Sequence, residues 1–415
     1  MRKYLSAWLP ISLQNSPELI PFLCLAASVS LTLVSIALSQ IALAGTIAAS
    51  IAIWRQKKFR LLQHPFMLPL LAFFLWTIIT ALAASDVRLG LTAVKKFYVF
   101  IILILVPLLA RGRGRIQWIY HAIFAVALSS SAAGLVQYFA DPKRDLLHRI
   151  SGFMSQWMTY SGLLMLALVA LTAYLLCIGW RSHKWTLPLV LVLLLPIILS
   201  ETRNAWLGSV AGIGAIVVMK RPRALIGLLA LLLGIYFVSP TSIKRRLQSG
   251  WDPDDPNTRN RIELVETSVR LIRDNLWLGV GPNNVGREAL RYRGDQSYPA
   301  WMYQHMHNNL LQIGAERGIP GMLLWLWLMM RFAWDAIALY RRTETSSLPL
   351  PEKNEILMAS AGALGAWVAL LIAGIFEYNF GDSEVLALFL FLMSAPYAFM
   401  DIKVKAATSS AAQPF

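Results

Sequence analysis

Residues 21–54 read PFLCLAASVSLTLVSIALSQIALAGTIAASIAIW, without one charged side chain. A helix crosses the hydrocarbon layer of a membrane with roughly 20 mostly apolar residues. The block is therefore too long for one crossing, and also too long for the apolar segment of a removable secretory signal. It divides best near Leu38–Gln40, into helices at 21–37 and 38–54. Working outward, similar stretches recur at 65–84, 97–110, 116–139, 157–178, 185–200, 204–219, 224–238, 319–340, 357–376 and 385–401. The expected fold class is an all-α polytopic membrane protein of about twelve transmembrane helices. Composition agrees, since 57% of the 415 residues are apolar and 14% are charged, against about 45–50% and about 25% in soluble domains. A single soluble core, a disordered chain and a disulfide scaffold are excluded. The only cysteines, Cys24 and Cys177, both lie in apolar runs.

Charge sets the expected orientation. A net charge of +16 on a soluble protein would suggest nucleic acid, but membrane proteins gather Lys and Arg in cytoplasmic loops. No nucleic-acid partner is expected. With the N-terminus inside, every inner segment carries a basic cluster, and these hold 19 of the 38 basic residues. The short outer loops hold 7, namely Arg88, Lys95, Lys96, Lys143, Arg144, Arg149 and Arg203. Both termini are then cytoplasmic. The chain divides into helices 1–9 over 1–238, a long outer connection with amphipathic helices over 239–318, and helices 10–12 over 319–401. An Ala/Ser-rich cytoplasmic tail over 402–415 is expected to be disordered. From 239 to 306 there are ten basic and eight acidic residues, so the connection is no polycationic surface and individual positions must matter.

The spans are nearly free of ionisable groups. Arg331 and Asp335 sit at i, i+4 and can pair, and His121 lies near the inner end of its span. This argues against an ion-coupled pump or transporter and moves the chemistry to the outer face, where four features stand out. In Glu201-Thr202-Arg203-Asn204-Ala205-Trp206, Arg203 opens a helix, where a cation opposes the macrodipole unless an anion lies between them. In an amphipathic helix over about 258–275, Ile262, Val265, Val269 and Ile272 form one apolar stripe. Arg261 leans toward it and Arg270 points away, while Arg259 lies nearer to solvent. A guanidinium in that first turn suits phosphate oxygens, or else an acidic side chain. The third feature is Tyr303-Gln304-His305-Met306-His307-Asn308, with a short helix from Asn308 to Gly318 and Pro320 in the first turn of the next span. His307 thus sits at a helix start, and imidazole is the side chain best suited to take a proton near neutral pH. Two histidines could also hold a metal, but no third ligand cluster is evident and the HExxH spacing is absent, so no metal and no cofactor are expected. In an extended segment the two rings would point to opposite sides. The fourth feature, Phe376-Glu377-Tyr378-Asn379-Phe380-Gly381-Asp382, could supply a carboxylate, though capping is its simpler role.

These motifs in this order resemble the bacterial O-antigen ligase/polymerase superfamily. The matching pieces are Ser151-Gly152-Phe153 with Met158-Thr159-Tyr160-Ser161, Thr202-Arg203-Asn204-Ala205-Trp206, Arg261-Ile262 followed by Trp277 to Asn283, and His305-Met306-His307-Asn308 with Glu316-Arg317-Gly318. The resemblance implies a ligase in the bacterial inner membrane whose active site faces the periplasm, where the 239–318 domain would lie. Its donor would be a polysaccharide on undecaprenyl diphosphate and its acceptor a sugar hydroxyl of lipid A core, among membrane lipids and with no metal requirement. It assigns the family's essential arginines to Arg203 and Arg261 and its essential histidine to His307. Arg88, Arg149, Arg259, His305 and Asn308 are candidates for substrate contacts, and the protein is expected to act as a monomer. A polymerase or a protein O-glycosyltransferase of the superfamily shares the same pattern.

Overall fold

The computed structural model describes residues 10–14, 16–54, 64–141, 149–179, 184–238, 241–250, 252, 254–294 and 298–400. The tail 402–415, Arg2, Lys3, the basic cluster at 55–60, Lys143, Arg144 and Arg181 lie outside these residues. The described part is all-helical, with no strand element. Its first helices are α1 (Leu19–Leu31), α2 (Ile36–Trp54), α3 (Met67–Leu82), α4 (Val87–Lys95), α5 (Ile102–Leu109) and α6 (Arg115–Ala140). Next come α7 (Trp157–Tyr174), α8 (Thr186–Leu199), α9 (Arg203–Lys220), α10 (Ala224–Val238), α11 (Thr241–Gln248) and α12 (Pro256–Asp274). The chain continues through α13 (Val285–Glu288), α14 (Asn309–Glu344), α15 (Leu350–Ala373) and α16 (Ser383–Ser394).

Among the described residues, six segments have the length and composition of a membrane crossing: Ile36–Ile53, Val87–Leu109, Arg115–Ala140, Trp157–Gly179, Asn309–Glu344 and Leu350–Ala373. Helices α1, α3, α8, α10 and Ser383–Phe399 are apolar but shorter, and α9 opens on Arg203-Asn204. The protein is thus a multi-pass membrane protein, and the count of twelve rests on the sequence pattern alone.

Two boundaries differ from the sequence reading. The first apolar block breaks at 32–35 rather than at Leu38–Gln40. Its hydroxyls explain the choice, since Ser30 and Thr32 donate to the carbonyls of Ala26 and Val29, and Ser39 donates across to Ser28 O at 2.7 Å. Such bonds offer helix-end carbonyls a partner without water. Second, the outer loop holding Arg88, Lys95 and Lys96 is itself helical. Asp86 caps it by accepting from the Arg88 and Leu89 amides, and a 3-10 turn, Lys96–Ile101, joins it to α5.

Helices α7, α9 and α15 form the centre of the bundle, and glycine brings them together. A Cβ on Gly208 would lie 2.8 Å from Ala369 O, and one on Gly212 would lie 2.7 Å from Gly365 O. Gly208 and Gly212 are four apart, the small-residue spacing that lets membrane helices touch backbone to backbone. The order of these contacts, with 208 near 369 and 373 and 212 near 365 and 369, makes α9 and α15 antiparallel. The start of α9 therefore lies at the same end of the bundle as the end of α15. At another point in the bundle the expected Arg331–Asp335 pair forms, at 2.6 Å, with Tyr397 Oη donating to Asp335 at 2.7 Å.

The 239–318 connection has a hydrophobic core of its own, built on Leu264, Leu271, Val280, Val285, Met302, Tyr303 and Met306. Its amphipathic helix is turned over relative to expectation. Ile262, Val265 and Val269 are 50%, 43% and 53% exposed, and only Ile272 of that stripe packs against the core. The buried face instead carries Glu263, Leu264, Thr267, Ser268 and Leu271. The polar face goes inside because Glu263 is saturated there, accepting from Gly294 N at 2.7 Å, Thr267 Oγ1 at 3.0 Å and Tyr303 Oη at 3.1 Å. A buried charge is tolerable only with such partners. Arg270, expected in solvent, is half-buried and donates to Tyr292 O at 2.9 Å.

Helix α14 contains a break at Gly318, whose φ is +67°. The preceding connection wraps this point. Val280 N donates to Ala315 O, Gly281 N to Glu316 O and Ile319 N to Leu276 O, at 2.7–3.0 Å. A Cβ on Gly318 would stand 2.2 Å from Trp277 O, so the glycine is needed both for its φ and for its close approach. Glu316 and Arg317 form a buried ion pair here. Arg317 also donates to Thr77 Oγ1, and Trp76 Nε1 donates to Arg317 O, which fastens the connection to α3.

Candidate active site

Asn308 is the N-cap of α14, so the helix starts one residue later than the sequence reading has it. Its side chain accepts from Leu311 N at 3.0 Å and donates to Ile375 O at 2.9 Å. The next residue stitches the same corner, because Asn309 N donates to Gly374 O, its Nδ2 donates to Asn379 Oδ1 and its Oδ1 accepts from Phe380 N. The start of α14 is thereby pinned to the turn after α15. The Asn308 amide is thus engaged at both its oxygen and its nitrogen.

This pinning places His307 against Glu377. His307 Nδ1 lies 3.0 Å from Glu377 Oε2, and His305 Nδ1 is 4.0 Å from Oε1. The two rings do not point to opposite sides as an extended segment would require. Their centroids are 4.1 Å apart. The cause is the backbone at His307, whose φ is +44°, a left-handed conformation uncommon outside glycine. It folds the second ring back toward the first.

Glu377 is 6% exposed. Burial pushes its carboxyl up, but the hydrogen bond and charge of His307, the charge of His305 and the Tyr378 amide outweigh it and hold the group below its ordinary range. Burial, reinforced by His307, holds His305 below the usual imidazole value, against the pull of Glu377. An ionised Glu377 can only accept. In this contact His307 Nδ1 therefore donates, and Nε2 is the ring nitrogen left for another partner. In the same turn Asp382, next to α16, is pushed up to about 6 by burial, against the hydrogen bond it accepts from Thr159.

The two arginines are carried by α12 and α9. Arg261 is half-buried, and its guanidinium carbon is 5.4 Å from the ring centre of Phe376, the residue before Glu377. It lies on the face of α12 that carries Leu264, Ser268 and Leu271, at i, i+3, i+7 and i+10. The inward lean expected of it holds, although toward a different stripe. Arg203 opens α9 at the end of the bundle where α15 finishes, and its Nη1 donates to Ser249 Oγ at 3.2 Å. Ser249 O in turn accepts from Thr258 Oγ1 at 3.2 Å, in the first turn of α12, so Ser249 joins the starts of the two arginine-bearing helices.

The remaining candidates are used differently. Arg259 is exposed and paired with Asp254. Arg149 lies over the Trp157 ring at 4.3 Å, and Arg88 is exposed in the first turn of α4. The expectation that a third metal ligand is lacking needs correction, because Glu377 completes a group of His305, His307 and Glu377 that could hold an ion. Sequence reasoning noted Glu377 only as a possible carboxylate or cap. Its partner is 70 residues away, and the one available signal was that both belong to turns expected at the same membrane face.

Residues 188–326 match the O-antigen ligase family model. The matched segment contains Arg203, Arg261, His305 and His307 and stops before Glu377, bearing out over that stretch the resemblance read from the motifs. No curated protein matches the chain. A solved chain described under "Structural coordination of polymerization and crosslinking by a peptidoglycan synthase complex" is similar at TM-score 0.44 and 15% identity, over 80% of this chain and 96% of that one. That likeness is too distant to bear on function.

Proposed function

We propose that this protein is an O-antigen ligase, moving a polysaccharide from undecaprenyl diphosphate to a sugar hydroxyl of lipid A core at the periplasmic face of the inner membrane. The observation that carries the reading is the single corner holding the His307–Glu377 pair with Arg261 beside it, inside and next to the O-antigen ligase segment. His307 Nε2 takes the proton of the acceptor hydroxyl, and Glu377 stabilises the imidazolium that results. The hydroxyl oxygen attacks the anomeric carbon from the side opposite the diphosphate, and the bond to the diphosphate oxygen breaks with inversion. Arg203 and Arg261 bind the leaving diphosphate, supplying the charge neutralisation that a divalent cation gives in many glycosyltransferases. Arg88, Arg149 and Arg259, with His305, are the next groups a long anionic donor or a phosphorylated core would meet.

Deleting the gene tests this directly. The expected result is loss of O-antigen from lipid A core while undecaprenyl-linked polymer accumulates. A single repeat left on the core would identify a polymerase instead.

A further inference from the structure

We propose that His305, His307 and Glu377 form a site for a divalent transition-metal ion such as Zn2+, and that filling it silences transfer. The silencing rests on the reading of His307 as base, whereas the site itself rests on geometry alone. Each residue offers one ligand atom, and these atoms lie within 4.8 Å of one another. Glu377 oxygens stand 3.0 Å from His307 Nδ1 and 4.0 Å from His305 Nδ1. A tetrahedral ion with bonds of about 2.0–2.2 Å holds its ligands roughly 3.4 Å apart, between those two separations. His305 Nδ1 is buried without a hydrogen-bond partner among the described residues, an orphaned lone pair that an ion would satisfy. Two imidazoles and one carboxylate favour a borderline ion over Mg2+, which prefers oxygen.

The ion and the base compete for the same ring. A neutral imidazole has one N–H. An ion on Nδ1 of His307 displaces that proton, which moves to Nε2, and Nε2 then has no lone pair to receive the acceptor's proton. Metal-independent transfer and inhibition by Zn2+ thus follow from one arrangement.

The test uses the full-length purified protein, freed of metal with EDTA and titrated calorimetrically with ZnCl2 and with MgCl2. One Zn2+ should bind per chain, with no Mg2+ heat, and His305→Ala and the bulkier His305→Gln should both lose the Zn2+ heat while keeping the wild-type elution volume. In a transfer assay with the wild-type protein, saturating Zn2+ should lower the rate by about 10²-fold or more, the scale of losing a general base, and EDTA should restore it. No binding, or binding unchanged in both variants, overturns the site and leaves the ligase reading intact. Binding that needs His305 but leaves transfer untouched overturns the silencing, and with it the assignment of His307 as base.

Discussion

The histidine corner and the arginine side of the site are suited to different tasks. His307 is fixed by a left-handed backbone, by the cap of Asn308, by Glu377 at 3.0 Å and by the Asn309–Asn379 stitch behind it. Arg203 donates to the Ser249 hydroxyl, and Arg261 lies over the Phe376 ring. A base must come within hydrogen-bond reach of one proton, whereas a cation acts on a diffuse diphosphate over a wider range of positions. Misplacing the corner should therefore cost more than altering the arginines.

The largest effect is expected from His307→Ala, which should lower transfer by about 10²–10⁴-fold at normal membrane levels. Activity near wild type would end the base mechanism. Glu377→Gln should come close behind, because a side-chain amide can donate to Nδ1 and move the ring proton onto Nε2, the change that costs a triad enzyme about 10⁴-fold. A loss of only a few-fold would reduce Glu377 to a packing group and erase the contrast between the two sides. Arg203→Lys and Arg261→Lys retain the charge but lose the bidentate fork, and a loss of about 10²-fold each is expected in single-turnover transfer. Should either exceed His307→Ala, the contrast is inverted. For His305→Ala a loss of a few-fold is expected, since its ring only packs against the base, and inactivity would exchange the roles of the two histidines.

A change in stability rather than rate closes the series. The folded protein holds the Asp382 carboxyl at about 6, above its ordinary value near 3.9, so the folded state binds that proton more tightly than the unfolded chain. Stability should thus fall as pH rises from about 4 to about 6. Asp382→Asn should flatten that part of a thermal-unfolding profile, and an unchanged profile would show that the group does not titrate there.

Most of the helical layout was legible because uncharged runs of membrane length leave the backbone no alternative to internal hydrogen bonding. The helix start after His307 and the break at Gly318 were also readable, each from a local signal, whereas the inward lean of Arg261 was read from a stripe that is largely exposed. The face of α12 was misread because periodicity ranks residues by polarity and could not see that Glu263 finds two donors from distant segments, Gly294 N and Tyr303 Oη, beside Thr267 on its own helix. Gly208 and Gly212 carried a readable packing signal that the hydropathy pattern passed over. The histidine pair failed differently, since alternation assumes an extended chain and nothing local announces a positive φ at His307. Glu377 needed knowledge of which turns meet, which the sequence holds only through the membrane face expected of both.

The staples around Gly318 bear on which insertions and deletions the gene can survive. Between the cap at Asn308 and that glycine, α14 is clamped at both ends, to the 374–380 turn and to 276–281. One residue added or removed between them would rotate the clamped ends against each other by about 100°, swinging His307 away from Glu377 or breaking the wrap at Ala315 and Glu316. This stretch should be length-invariant among relatives that keep the activity, even where its side chains drift.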